Sequence, residues 1–154
     1  MSSDFQKLKL EQIEASAQNF AALRGRQVPG RGWLKEIREA LGRTQRQQAA
    51  RIGITGPTLL KSEQAEIDER IGLGQLRRLA DALDCDLVYG LVPRKPLAQT
   101  VEDQAMRIAK AEVMGVAHTM SLESQRPADD RLNKQIARRK DQLLSGRWSA
   151  LWKT

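Results

Sequence analysis

Helix punctuation is densest between Gly42 and Pro57, and it leaves the chain little freedom there. Gly42 supplies a left-handed cap that ends one helix, whose apolar face is Trp33, Leu34, Ile37 and Leu41. Thr44 with Gln47 forms a capping box that opens the next helix, which runs to Ile52 and stops at Gly53. Thr55 caps a third helix, and Pro57 fits its first turn because the amide that proline lacks would have been an orphan there. Two short helices joined by a tight turn at a glycine are what a major-groove reader needs. The first crosses the DNA backbone, and the turn lets the second approach steeply.

Residue by residue, the stretch from Thr44 to Glu63 resembles the helix-turn-helix of the Cro/CI (XRE) repressor family. The matches are Gln45, the small Ala49 at the inter-helix contact, Gly53 in the turn, apolar Ile54 and Leu59, and Glu63. With flanking helices the resemblance spans 33–84; it departs at Ser62, usually apolar in the family, and at Leu60, often polar. It implies that Thr55, Gly56, Pro57, Thr58 and Lys61 face base edges. Gly56 and Pro57 bring no hydrogen-bonding side chain, so direct readout rests on Thr58 and Lys61. Lys61 is suited to guanine acceptors, and the Thr58 methyl to a thymine methyl. Arg43, Gln45 and Arg46, near the start of the second helix, would contact phosphate and set register. Dimer spacing and DNA shape would then carry part of the selectivity.

The composition agrees with such a partner. Lys+Arg outnumber Asp+Glu by 26 to 19 in 154 residues, giving +7 and a pI near 10, a balance that favours a polyanion. The excess is spread along the chain, so nucleic acid would meet an arranged surface rather than a disordered arm. Aromatics make up only 4% against 40% hydrophobic residues, so the core must be mostly aliphatic. One cysteine, Cys85, excludes an intramolecular disulfide and fits a reducing cytoplasm. With His118 it leaves too few soft ligands for a zinc site. The longest apolar run, Leu87 to Val92, is far short of a membrane span. Asp4, Lys7, Lys9 and Glu11 stand where a signal peptide needs an apolar core. The expectation is a cytoplasmic protein that uses no metal and no cofactor. No Gly-rich phosphate loop, paired-carboxylate site or nucleophile motif stands out, so it is not expected to be an enzyme.

Breaks around Gly25–Gly32 and at Pro93–Pro96 predict three regions. Residues 1–30 form an N-terminal helix, with Phe5, Leu8, Ile13, Ala17 and Phe20 near helical spacing, and a linker. Residues 31–95 form the helix-turn-helix domain with a terminal strand, and residues 96–154 a helical region. The predicted fold class is mainly α: a five-helix Cro/CI-like bundle, a short β-strand, then C-terminal helices. Leu73, Leu76, Leu79, Ala80 and Leu83 line the last helix of the bundle. The strand is the apolar run Leu87, Val88, Tyr89, Leu91 and Val92. It has no neighbour to pair with, so it either forms an intersubunit ribbon with its twofold copy or packs on the N-terminal helix of its own chain. Val101, Ala105, Ile108, Ala109, Val113, Val116 and Met120 mark one long amphipathic helix. A second follows Asp129-Asp130 through Leu132, Ile136, Leu143 and Leu144 to Gly146. The closing patch of Trp148, Leu151 and Trp152 needs a surface to cover, in its own core or on a partner.

Three further segments, Arg31–Gly42, Leu87–Pro93 and Val116–Met120, together resemble the mobile mystery protein A family over about 30–125. That family is typically encoded beside a Fic-domain protein, an enzyme class that transfers AMP from ATP to hydroxyls. The resemblance implies an inhibitory helix with the pattern Ser or Thr, three residues, Glu, then Gly or Asn. Thr119 and Glu123 satisfy it, and Ser124 departs at the last position. In that reading the Glu123 carboxylate pairs with the enzyme's phosphate-binding arginine, a bidentate, charge-assisted contact at a site built for phosphate. The function implied is a homodimeric repressor of its own operon, bound to an inverted-repeat operator in double-stranded DNA, that doubles as antitoxin of a Fic-type toxin. Two alternatives stay open. One is a plain XRE-family repressor whose C-terminal half senses a ligand or dimerises. The other is a protein-interaction module whose helix-turn-helix has lost DNA binding.

Overall fold

Capping decides where the helices start and stop. A computed structural model describes residues 3–122 and 128–153. Among these, all regular structure is helical: α1 (Ser3–Gln18), α2 (Trp33–Ala40), α3 (Gln45–Ile52), α4 (Gly56–Ile67), α5 (Leu73–Asp81), α6 (Leu97–Leu122) and α7 (Asp129–Ser145), with 3₁₀ turns at Ala21–Leu23 and Trp148–Trp152. The capping box of Thr44 and Gln47 opens α3, and Thr55 caps α4 with Pro57 in its first turn. Four helices, α2 to α5, end the same way, on a left-handed residue: Gly42, Gly53, Glu69 and Asp84. The amide after each returns to a carbonyl five residues back, Arg43 to Arg38 (3.0 Å), Ile54 to Ala49 (3.1 Å), Arg70 to Ala65 (2.8 Å) and Cys85 to Ala80 (3.0 Å). These Schellman closures satisfy carbonyls that a helix end otherwise leaves orphaned.

Two compact units result, one of Leu23–Gly90 and one of Met1–Ala22 with Leu91–Thr154. The first holds α2 to α5 around Leu34, Ala49, Leu59, Leu79 and Leu83, with Ile37, Ile52, Ile54, Ile71 and Leu76 packed against them. Buried polar side chains cross this core. Arg38 on α2 makes a bidentate pair with Glu63 on α4, Nε to Oε1 at 2.6 Å and Nη2 to Oε2 at 3.2 Å, and gives Nη1 to the Arg43 carbonyl at 2.9 Å. Gln48, also buried, donates to the Ala82 carbonyl at 3.1 Å and accepts from Arg43 at 3.0 Å.

Glu66 on α4 caps α2 from a distance. Its carboxylate accepts the Trp33 and Leu34 amides at 2.9 and 3.0 Å, while the residue preceding α2, Gly32, offers no side chain to do so. Gly32 is required twice over: its φ is 83°, and a Cβ there would stand 2.7 Å from the Glu66 carboxylate.

The second unit packs α1, α6, α7 and the closing 3₁₀ turn. Ala105, Ala109 and Ala117 on α6 are fully or almost fully buried, as are Leu132 and Ile136 on α7. Leu151 inserts beside Val101 and Ala105, with Leu10, Leu143, Leu144 and Trp148 around it. Gln104 holds the Leu151 carbonyl at 2.6 Å, and the Trp148 indole donates to the Leu144 carbonyl at 2.8 Å. The C-terminal aromatic patch thus folds into its own unit, though Trp152 stays half exposed. Glu112 and Arg139 pair between α6 and α7 at the surface. The Arg139 hydrogen bonds hold the Glu112 carboxyl below its usual range and raise the guanidinium. Asp103 is lowered likewise by the hydrogen bond from Lys95, then by that from Gln99.

Several expectations are corrected. No strand is present among the described residues, and Leu87, Val88, Tyr89, Leu91 and Val92 run as irregular chain, Leu91 being 89% exposed. An apolar β-branched run becomes a strand only where a second extended segment lies alongside, and the described residues offer none. Leu87 and Val88 line a groove of about 550 Å³ with Leu23, Val28, Trp33 and Leu76 instead. The bundle has four α-helices within Leu23–Gly90 rather than five, since α1 packs with α6. On α1 the inward stripe is Gln6, Leu10, Glu14 and Ala17, whereas Phe5, Leu8 and Ile13 are exposed. On α2, Trp33 and Leu41 are half exposed, and the buried face is Leu34 and Arg38 with Ile37. Asp129 and Asp130 sit in the first turn of α7, where carboxylates suit the helix dipole, with Ala128 at the cap.

Candidate nucleic-acid interface

The polar ties of the first unit fix one helix in particular. α4 buries Leu59 and Glu63 and half-buries Ser62 and Glu66, one stripe at helical spacing. Its opposite face therefore points outward: Pro57, Thr58, Leu60, Lys61 and Gln64 are all exposed. Because Glu63 is held bidentately and Glu66 grips two amides of α2, α4 has little freedom to roll about its axis. A helix presented this rigidly suits readout in a groove.

Charge reinforces the geometry. From Ala40 to Ser62 there is no carboxylate, while Arg43, Arg46, Arg51 and Lys61 fall within that stretch. Arg46, Arg51 and Lys61 are exposed, and none makes an ion pair with another described residue. The acidic groups of α4, Glu63 and Glu66, are turned inward or toward α2. A cationic segment that itself carries no carboxylate attracts phosphate.

The residues expected to read DNA lie close together but do different things. Gln45 and Arg46 stand in the first turn of α3, half-buried and exposed respectively, where free backbone amides also favour a phosphate. Thr55 caps α4, accepting the Thr58 amide at 3.3 Å, and the two hydroxyls are 2.8 Å apart. Gly56, Pro57 and Thr58 form the first turn, and Lys61 follows one turn on. Arg43 is different: its guanidinium holds Gln48 and the Ala82 carbonyl (3.2 Å) and stands 3.9 Å from Asp84. It joins α3 to the end of α5. Of the residues assigned to toxin inhibition, Thr119 is exposed on α6 with its hydroxyl returned to the Gly115 carbonyl at 3.2 Å. Glu123 and Ser124 lie outside the described residues. His118 is exposed, and the Cys85 thiol points to the Leu83 carbonyl at 3.4 Å. Among the described residues no His, Cys, Asp and Glu group could hold a metal ion, and no helix is long and apolar enough to cross a membrane.

Sequence reasoning missed Arg38, Gln48 and Glu66, the side chains that aim α4. It also treated Leu60 only as a departure, although Leu60 belongs to the outward face. The signal for Glu66 was available: Gly32 precedes a helix and supplies no cap, so an acceptor had to come from elsewhere.

Two abutting short helices, the second rigidly presented beside a carboxylate-free basic segment, define a DNA-binding domain of the helix-turn-helix class. Residues 34–89 match the family model described as helix-turn-helix, and this segment is an XRE-type helix-turn-helix domain. No curated protein and no solved structure matches the chain.

Proposed function

We propose that the chain is a sequence-specific DNA-binding regulator of the XRE type. α4 enters the major groove, and the start of α3, with Gln45 and Arg46, lies over the phosphate backbone. The observation that carries this reading is the outward face of α4 set beside a stretch, Ala40 to Ser62, without a single carboxylate. One such domain covers one half-site, so an inverted-repeat operator calls for two copies of the chain. The test is binding to duplexes selected from a random pool. Lys61→Ala is expected to weaken the selected duplex by about 1–3 kcal/mol and to relax preference at one position. Arg46→Ala is expected to weaken every duplex alike and to lower the salt slope by about one. Equal loss on selected and random DNA for Lys61→Ala would remove Lys61 as a base reader.

The reading extends to a second role, as a cytoplasmic antitoxin of a Fic-type AMP-transferase toxin. Its support is the sequence resemblance of 30–125 and the pattern from Thr119 to Glu123, from which Ser124 departs at the last position. Glu123 would occupy the toxin's phosphate-binding arginine, the chain itself catalysing nothing. Co-purification of the full chain with the product of its neighbouring gene tests this role. In a complex with such a partner, Glu123→Gly is expected to preserve assembly and release AMP transfer. A promoter bound in the absence of any partner leaves the regulator alone standing.

A further inference from the structure

The outward face of α4 is poor in hydrogen bonding and rich in apolar surface. The Thr55 and Thr58 hydroxyls engage each other at 2.8 Å, Gly56 has no side chain, and Pro57 has no donor. The Gln64 amide donates to Asp68 at 3.0 Å. What remains between them is Lys61 and Leu60, the leucine 48% exposed although its neighbour Leu59 is buried. Pro57, Leu60 and Lys61 stand at i, i+3 and i+4, one patch of the helix surface. An exposed leucine on a groove-facing helix gains by covering apolar surface, and a pyrimidine C5-methyl is the apolar group the major groove offers.

We infer that Leu60, seated beside Pro57, is a specificity-determining residue that reads pyrimidine C5-methyl groups, so the half-site is selected for thymine at that position, with Lys61 adding a guanine. The inference rests on the DNA-binding reading above and names what its main helix recognises. It gives Leu60, the family pattern's departure, a methyl-reading role beside the one expected of Thr58, and Leu60→Ala separates the two.

The test uses the full chain and the duplex most enriched from a random pool. Each thymine is replaced singly by deoxyuridine, which deletes the methyl and leaves every hydrogen-bonding group in place. At one or more thymines the affinity is expected to fall about fourfold, equivalent to about 0.8 kcal/mol for one buried carbon. Leu60→Ala is expected to bind the thymine and uracil duplexes alike, with an unchanged helical circular dichroism spectrum. Leu60→Gln, which retains helix propensity, is expected to shift selection toward adenine. Equal wild-type affinity for thymine and uracil duplexes overturns methyl reading while leaving DNA binding intact. A Leu60→Ala protein that keeps the full thymine preference overturns the role of Leu60. Failure to bind any duplex overturns both this inference and the reading beneath it.

Discussion

The two units hold their helices by different balances of polar ties and apolar packing. In Leu23–Gly90 the helices are cross-tied by buried polar groups: Arg38 to Glu63, Gln48 to the Ala82 carbonyl, and Glu66 to the first amides of α2. In the other unit α6 presents alanines at its buried positions, Leu132, Ile136 and Leu151 fill the core, and the ion pairs lie outside. Small residues let helices approach closely along their length but specify roll and register weakly, because van der Waals contact varies gently with rotation. A bidentate pair is satisfied in one geometry only. The unit that must aim a recognition helix uses polar ties, and the unit that packs long helices uses shape. Both units share one device, a glutamate from another helix gripping a helix's first amide, Glu66 for α2 and Glu14 for α6 (2.9 Å to the Leu97 amide).

The largest effect that would break this contrast is at Glu63. Glu63→Ala leaves the Arg38 guanidinium buried without its partner and is expected to cost about 3–5 kcal/mol, read by amide exchange of Leu34 and Leu59. Replacing both, Arg38→Met with Glu63→Leu, is expected to restore stability yet lower DNA affinity, because α4 loses its fixed roll. If the double variant binds DNA normally, the pair stabilises without aiming. Next in size is Ala109→Leu on α6. Three added carbons at a fully buried position are expected to cost about 1–3 kcal/mol by overpacking. At the exposed Ala50 of the first unit the same change should stay within about 0.5 kcal/mol.

Smaller again is Glu69→Gly. The residue sits at φ 57°, where a side chain is strained, so glycine is expected to stabilise the first unit by about 1 kcal/mol in a urea titration. Asp84→Gly should gain less, since aspartate tolerates that conformation better. The smallest effect concerns Glu112. Its carboxyl is held below its usual range in the folded chain, so the Arg139 pair contributes fully above that range and is lost as pH falls through the lowered value. Arg139→Ala is expected to lower the second unit's stability slightly at neutral pH, where the pair is fully formed, and to leave it unchanged below the lowered Glu112 value, so the acid side of the profile flattens.

Legibility followed the same division. Local punctuation was readable: Gly42, the Thr44–Gln47 box, Gly53, Thr55 and Pro57 each do in the structure what their chemistry demands. The closures at Glu69 and Asp84 were not: a glutamate carries no signal for a left-handed conformation, and aspartate's tolerance of it is too common a property to single out Asp84. Arg38 could not be read as buried, since an arginine at helical spacing reads as surface until its partner on another helix is known. The run Leu87 to Val92 was misread because β-branching reports a local preference, whereas a strand also needs a neighbour. On α1, Phe5, Leu8 and Ile13 formed a plausible face, yet Leu10 and Glu14 are the residues that meet α6. Of the candidate interface, the position of α4 was legible, and the polar network that holds it was not.

The central claim is that the edge formed by the start of α3 and the outward face of α4 binds DNA. Amide chemical-shift mapping of the full chain during titration with its selected duplex tests it most directly. The account predicts shifts concentrated at Thr44 to Arg46 and at Thr55 to Gln64, diminishing as salt rises. Shifts concentrated instead on α6 and α7, with α4 unmoved, would contradict it.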